Sequence, residues 1–359
     1  MSRMLSRITA PGVLSQVRHV SPVRPAAAHG LVAEVYAQAA RDFGMLAPPV
    51  ILHSPAPSAL AASWSILRES LLVPGTAGRA AKELVAAEVS AGNTCPYCVD
   101  VHGATLRGLG AARDPRLAPS AAWARASGSA ATAWDEPPAG SGVSGITELV
   151  AVVVTFQYLN RMVNVFLGDS PLPPELPRGA RGPAMRLFGV LMRPAARRAA
   201  VPGASLGLLP VAPLPADLSW AADVPHLAGA FARAAAAVEE CGRRSLPDRV
   251  RALVADRVAA WEGEPPGPGR GWAARAVAGL PETDRPAARL ALLVALASYQ
   301  VDREAVAEFL RTTPDERALI EVTAWASLTA ARRVGTWSAR AVADRTDLQV
   351  KEGRTRDRD

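Results

Sequence analysis

An all-α fold is predicted, on three observations. Alanine and leucine dominate the apolar residues while aromatics make up 5% of the chain, and both residue types lose little side-chain entropy in a helix. Apolar residues recur at helical spacing through most of the length. The periodic segments open on proline or on short polar residues and close on glycine, the punctuation of helix starts and stops. With 359 residues, 49% hydrophobic and 20% charged, the chain is long enough for two ordinary domains or one large one with a sizeable core.

The elements follow in order. Residues 1 to about 28 are basic and proline-punctuated, an extended arm whose first 17 residues are expected to be flexible. Helical patterns cover Leu31–Phe43, Pro57–Leu72 and Thr76–Gly92, the last stopped by Gly92-Asn93; a fourth starts at Cys95-Pro96 and runs to about Leu109. Residues 114–145 mix a short helical piece with a loop at Pro137-Pro138, and Ile146–Leu167 is an apolar helix. These patterns define a first domain over 18–168, followed by a Gly/Pro-rich connection over 169–224 that contains a basic amphipathic segment near 183–199. A second helical region spans 225–343, with helices near 225–241, 246–261, 270–279, 283–299, 302–311 and 314–343. The charged tail, 344–359, is expected to be disordered.

A weak internal repeat links the two halves. Leu84-Val85-Ala86 with Val89 recurs as Leu253-Val254-Ala255 with Val258, an offset of 169 residues (84 to 253). Glu148 followed by Asn160-Arg161 has a rough counterpart in Glu321 followed by Arg332-Arg333. A degenerate duplicate and a chance match of Ala/Val-rich helices are both open readings. In a duplicate the second copy has lost the first copy's cysteines, since positions 95 and 98 map to Glu264 and Gly267.

The net charge is +7, carried by arginine with Lys82 and Lys351 as the lysines. These arginines are spread among acidic residues without a basic stripe or interleaved aromatics, so no nucleic-acid partner is expected. The N-terminus shows no apolar run with a cleavage pattern. The longest apolar stretches, Leu149–Phe156 and Leu290–Ala297, fall short of the ~20 residues of a membrane span. A cytoplasmic protein with no membrane partner is expected. Three cysteines, two of them as Cys-x-x-Cys, point to redox or metal chemistry instead of a disulfide scaffold.

Those two are Cys95 and Cys98, with Pro96 and Tyr97 between them. Pro96 suits the first helical position, which puts Cys95 at the cap and Cys98 in the first turn. Steps of three and four residues then bring Cys95, Cys98 and His102 onto one helix face. A helix N-terminus stabilises a thiolate, so a lowered thiol pKa, in the ~3.5 to 7.5 range of reactive cysteines, is expected there. His102 lies one turn away as an acid or base. A peroxide attacked by one thiolate gives a sulfenic acid, which the second thiol converts to a disulfide.

Glu83, twelve positions before Cys95, then Cys95-Pro-Tyr-Cys98, then His102, resembles the active-site signature of the AhpD-like alkylhydroperoxidases in the carboxymuconolactone decarboxylase superfamily. The resemblance covers roughly residues 18 to 168. It implies a helical thiol peroxidase or disulfide oxidoreductase in which Cys98 attacks the peroxide, Cys95 resolves, and Glu83 with His102 relays protons. It further implies no metal or organic cofactor, a small-molecule peroxide substrate, a dithiol or lipoyl-type reductant, and a homo-oligomer. Founding members carry a histidine between the cysteines, where this chain has Tyr97.

Several other readings compete. Cys-Pro-Tyr-Cys also occurs in glutaredoxins, but that fold needs a β-strand before the motif, where Glu83–Ser90 has helical spacing. Cys95, Cys98 and His102 could supply three zinc ligands, with His53 as a distant fourth candidate. A non-enzymatic redox sensor is the third rival. Cys241 stands alone, Glu88 is either a second carboxylate near the thiols or a surface residue, and Asn160-Arg161 is read as structural support, with substrate contact as the alternative, the arginine needing a carboxylate partner if buried.

Overall fold

A computed structural model of the chain describes residues 14–132, 142–173 and 175–339. Most of the predicted flexible arm, the Pro137-Pro138 loop and the predicted disordered tail lie outside the described residues. Among the described residues every regular element is helical, as predicted. The principal helices are α1 (Gly30–Asp42), α2 (Pro57–Leu67), α3 (Arg79–Gly92), α4 (Pro96–Gly108), α5 (Ala118–Ala126), α6 (Val143–Phe166) and α7 (Arg178–Ala196). The second half carries α8 (Pro225–Ser245), α9 (Asp248–Ala260), α10 (Gly271–Ala276), α11 (Arg285–Ala297), α12 (Arg303–Thr312) and α13 (Glu316–Ser338).

Two departures from the predicted boundaries have electrostatic causes. The helix expected over Pro57–Leu72 changes at Arg68 into one π-helical turn, Arg68–Leu72. That turn holds a buried ion cluster: Arg68 pairs with Asp42 at 2.7 Å and with Glu69 at 2.6 Å. Glu69 in turn accepts from the Gly203 and Ser205 amides. A widened turn is a common device for aiming side chains that a regular helix would bury wrongly. The helix expected from Thr76 starts at Arg79, because the Thr76 and Ala77 amides donate instead to the Glu148 carboxylate, at 2.9 and 3.1 Å.

α6 is apolar on every side, and 94% of its most apolar 18-residue window is buried by the rest of the protein. It is the helix long and apolar enough, among the described residues, to cross a membrane by length and composition; its burial is that of a central core helix. α13 packs along it, and α2 packs on α8. A single connected cluster of buried apolar residues therefore includes Val150 and Phe156 from the first half and Leu319 and Trp337 from the second.

Helices that the internal repeat would pair lie at a similar offset, and two of the three pairs, α2 with α8 and α6 with α13, pack on each other. α2 and α8, α3 and α9, and α6 and α13 begin 168, 169 and 173 residues apart (Pro57 to Pro225, Arg79 to Asp248, Val143 to Glu316). Contacts of like with like are those a two-fold axis generates. Glu148 of α6 ties down the segment before α3, and its Oε2 lies 3.1 Å from Lys82 Nζ. Glu321 of α13 holds Arg244 and Ser245, which precede α9. α4 has no such partner: residues 261–270, Glu264 and Gly267 included, form no helix.

α4 is held from outside by α7. A Cβ on Gly108 would lie 2.1 Å from the Gly189 carbonyl oxygen, and one on Gly189 would lie 2.3 Å from that of Ala104. The two backbones thus touch directly, which only glycine allows at this distance. α7 buries Met185, Gly189, Met192 and Ala196 on this face and exposes Leu187, Val190 and Leu191 on the other.

Candidate active site

The Cys-x-x-Cys pair sits where α3 turns into α4. The Cys95 amide donates to the Ser90 carbonyl at 2.9 Å, closing α3, and Pro96 opens α4 at its first position. The turn forces Thr94 to φ +52°, a left-handed conformation that costs a β-branched residue roughly 1–2 kcal/mol. Strain of this kind persists where surrounding packing fixes it, as it does beside functional side chains. α4 then projects Cys98 and His102 toward α3 and α6, and all three residues, Cys95 included, are buried.

Glu83 reaches His102 from α3. Its Oε2 lies 2.7 Å from His102 Nδ1, and its Oε1 takes Arg79 Nη2 at 2.6 Å. Burial pushes the Glu83 carboxyl up, but the Arg79 and His102 charges and hydrogen bonds outweigh it and hold the group below the usual carboxylate range. In its neutral form, with Nδ1 donating to the carboxylate, the His102 ring presents Nε2 as an acceptor. The Phe156 ring meets the imidazole edge to face, centroids 4.6 Å apart, and fixes its plane.

The Cys98 thiol is flanked by the Cys95 thiol and by the Asn160 and Ser90 side chains. The Cys95 thiol beside it, burial and the Cys95 charge raise the Cys98 pKa well above its ordinary value, and Asn160 and Ser90 offset only part of this. The expectation of a lowered pKa at this helix start is therefore not met for Cys98 in the dithiol form. Its sulfur is buried against a second ionisable sulfur, and desolvation with like-charge repulsion exceeds the helix-terminus effect. Asn160 is itself held, donating to Ser90 Oγ at 2.9 Å and accepting from Asn93 Nδ2 at 3.0 Å.

Cys98 and His102 share one cavity of about 90 Å³. Its walls are apolar, among them Phe43, Leu67, Val101, Phe156, Leu159 and Phe188, and its polar groups are the Cys98 thiol, the His102 ring, Tyr97 and Gln16. The Tyr97 hydroxyl donates to Gln16 Oε1 at 3.1 Å, and burial raises its pKa. Cys95 does not line this cavity. A neutral molecule with an apolar body and a polar reactive end fits such a pocket.

The structure thus brings Cys95, Cys98, His102 and Glu83 together, and it separates the other candidates from them. Glu88 is ion-paired with exposed Arg125 at 2.7 Å, away from the thiols. Cys241 is buried in α8. His53 lies 2.9 Å from the Tyr158 hydroxyl and has no part in the cysteine site. Among the described residues no group of three His, Cys, Asp or Glu side chains is placed to hold a metal. Arg161 has no carboxylate within ion-pair distance among the described residues; it donates to the Ala295 and Gln157 carbonyls and to Gln157 Oε1. Asn160, Ser90, Gln16 and Tyr97 join the site without having been picked as site residues from the sequence. Ser90 and Tyr97 lie within the motif segment, whereas nothing in the linear pattern marks Gln16.

The chain is similar to known proteins. Residues 58–135, which contain the whole Glu83 to His102 span, match the carboxymuconolactone decarboxylase family. A protein of Mycobacterium tuberculosis named alkyl hydroperoxide reductase is 37% identical over 353 residues, covering 94% of this chain and 99% of that protein. No solved structure matches the chain. The likeness over nearly the full length, the family match and the helical site together show that the chain belongs to the AhpD-like and carboxymuconolactone decarboxylase superfamily.

Proposed function

We propose that the chain is a thiol-dependent peroxidase that reduces organic hydroperoxides at Cys98, with Cys95 as resolving thiol and Glu83 and His102 as proton relay. The observation that carries this is the buried Glu83 to His102 hydrogen bond of 2.7 Å opening, with Cys98, onto an apolar cavity. The full-length relative's name supports the same class of reaction. His102 Nε2 accepts the Cys98 proton as substrate enters, and Glu83 stabilises the imidazolium that forms. The Cys98 thiolate attacks the terminal peroxide oxygen; the O–O bond breaks, the S–O bond forms, and the alkoxide takes a proton from His102 to leave as the alcohol. Cys95 then displaces hydroxide from the Cys98 sulfenic acid, giving the disulfide and, once protonated, water. An external dithiol of lipoyl type reduces the disulfide and returns both thiols.

The test is steady-state consumption of cumene hydroperoxide by the reduced protein with excess dihydrolipoamide, with bound zinc assayed in parallel. Turnover in the wild type that is lost in Cys98→Ser and His102→Gln is expected. Inactivity with stoichiometric zinc points to a metal site, and a metal-free single oxidation without turnover points to a redox sensor; either result overturns the peroxidase reading.

A further inference from the structure

A second cavity, of about 220 Å³, lies beside the dithiol turn, lined by residues of both halves of the chain. Asn93, Arg125 and Arg161 of the first half and Trp261, Leu296 and Tyr299 of the second line it, and among the described residues no acidic side chain does. Arg125 is already neutralised by Glu88. Arg161 is not: it is 5% exposed, lies over the Trp261 ring at 5.8 Å, and among the described residues meets only neutral acceptors. Its Nε and Nη1 are engaged, while Nη2 has no acceptor among the described residues. Burial pushes the guanidinium down to about 10, so it remains charged at neutral pH. A lone buried cation is costly unless an anion reaches it.

We infer that this cavity is a binding site for a small organic monocarboxylate, anchored by Arg161. One uncompensated positive charge and one free terminal nitrogen match a single carboxylate. The Trp261, Leu296 and Tyr299 walls match an apolar body. A divalent phosphate would bring a second negative charge for which, with Arg125 paired to Glu88, the described lining offers no further unpaired cation. The site is independent of the peroxidase reaction proposed above, although it is physically close to it: Asn93 lines this cavity and holds Asn160, which contacts Cys98.

Isothermal titration of the reduced full-length protein with benzoate, benzamide and inorganic phosphate tests the assignment. Saturable binding of benzoate with one site is expected, with benzamide and phosphate at least tenfold weaker. Arg161→Gln should lose binding, and Gln157→Glu guards against a folding defect in that variant. Gln157 Oε1 already accepts from Arg161 Nη1 at 2.7 Å, so the substitution puts a carboxylate on the guanidinium without changing shape. Gln157→Glu is expected to weaken benzoate at least tenfold while keeping the wild-type melting temperature or raising it. Equal binding of benzoate and benzamide, tighter binding of phosphate, undiminished binding by Gln157→Glu, or no saturable binding at all would overturn the assignment. Because the readout is heat of binding, none of these results bears on hydroperoxide turnover.

Discussion

Replacing Glu83 with glutamine tests the relay with the least change of shape. Glutamine keeps the volume of the side chain but removes the negative charge that faces both Arg79 and His102. A hydrogen bond to a charged partner contributes about 1.5–3 kcal/mol. If that is the stabilisation Glu83 gives the imidazolium as Cys98 loses its proton, kcat/KM for hydroperoxide falls about 10- to 150-fold at ~1.4 kcal/mol per decade. Stability carries a second signature. The folded-state pKa of Glu83 is depressed, so its contribution is present above the unfolded carboxylate pKa and is lost as pH falls through the folded value. Glu83→Gln should therefore melt lower than wild type at neutral pH, and the gap should close on acidification. The assay pairs initial rates with cumene hydroperoxide and thermal unfolding monitored by circular dichroism, each across pH. A folded Glu83→Gln protein with kcat/KM within threefold of wild type would refute the relay, and a melting difference independent of pH would refute the electrostatic account.

Other outcomes follow from the same geometry. The raised Cys98 pKa predicts that its iodoacetamide alkylation climbs with pH past the ordinary thiol value of 9.0, and that Cys95→Ser, which removes the neighbouring thiol, moves this rise to lower pH; a plateau already reached at pH 7 in the wild type would contradict it. In Cys95→Ser, one equivalent of hydroperoxide should leave a sulfenic acid on Cys98 that dimedone traps, seen as a mass shift on the peptide containing Cys98 and absent if Cys95 is the attacking thiol. Glu148→Gln leaves buried Lys82 without its counter-ion and should cost about 3–5 kcal/mol, read by denaturant unfolding. Gly108→Ala places a methyl group against the Gly189 carbonyl and should cost about 1–3 kcal/mol while lowering activity through displacement of α4; wild-type stability would show that α7 yields freely.

Much of the helical order was legible because periodicity and punctuation are local. Pro96 after Cys95 marks the start of α4 from sequence alone, and the three and four residue steps put Cys98 and His102 on one face. Glu83 came from resemblance; its hydrogen bond to His102 depends on how α3 lies against α4, which no linear pattern states. The direction of the Cys98 shift was misjudged for the same reason: a helix start is visible in sequence, whereas burial against a second thiol is a tertiary fact. Boundaries slipped at Arg68 and Thr76 because distant partners, Asp42 and Glu148, take hydrogen bonds and charges that local rules assign to the helix. Gln16 closes the cavity from a segment 79 residues before Cys95 in the chain (16 to 95), with no motif to announce it.

The pairing of α6 with α13 also bears on how the protein behaves when dilute. In an assembly of separate subunits, a helix as apolar as α6 would be covered by mass action, and its cover would dissociate as concentration fell below the dissociation constant. Here the cover is tethered to the same chain, so its effective concentration is set by the connection and does not change with the number of molecules in solution. The environment of Phe156 and Asn160, both on α6 and both touching the cysteine site, is thereby as secure in a single molecule at nanomolar concentration as in a concentrated stock.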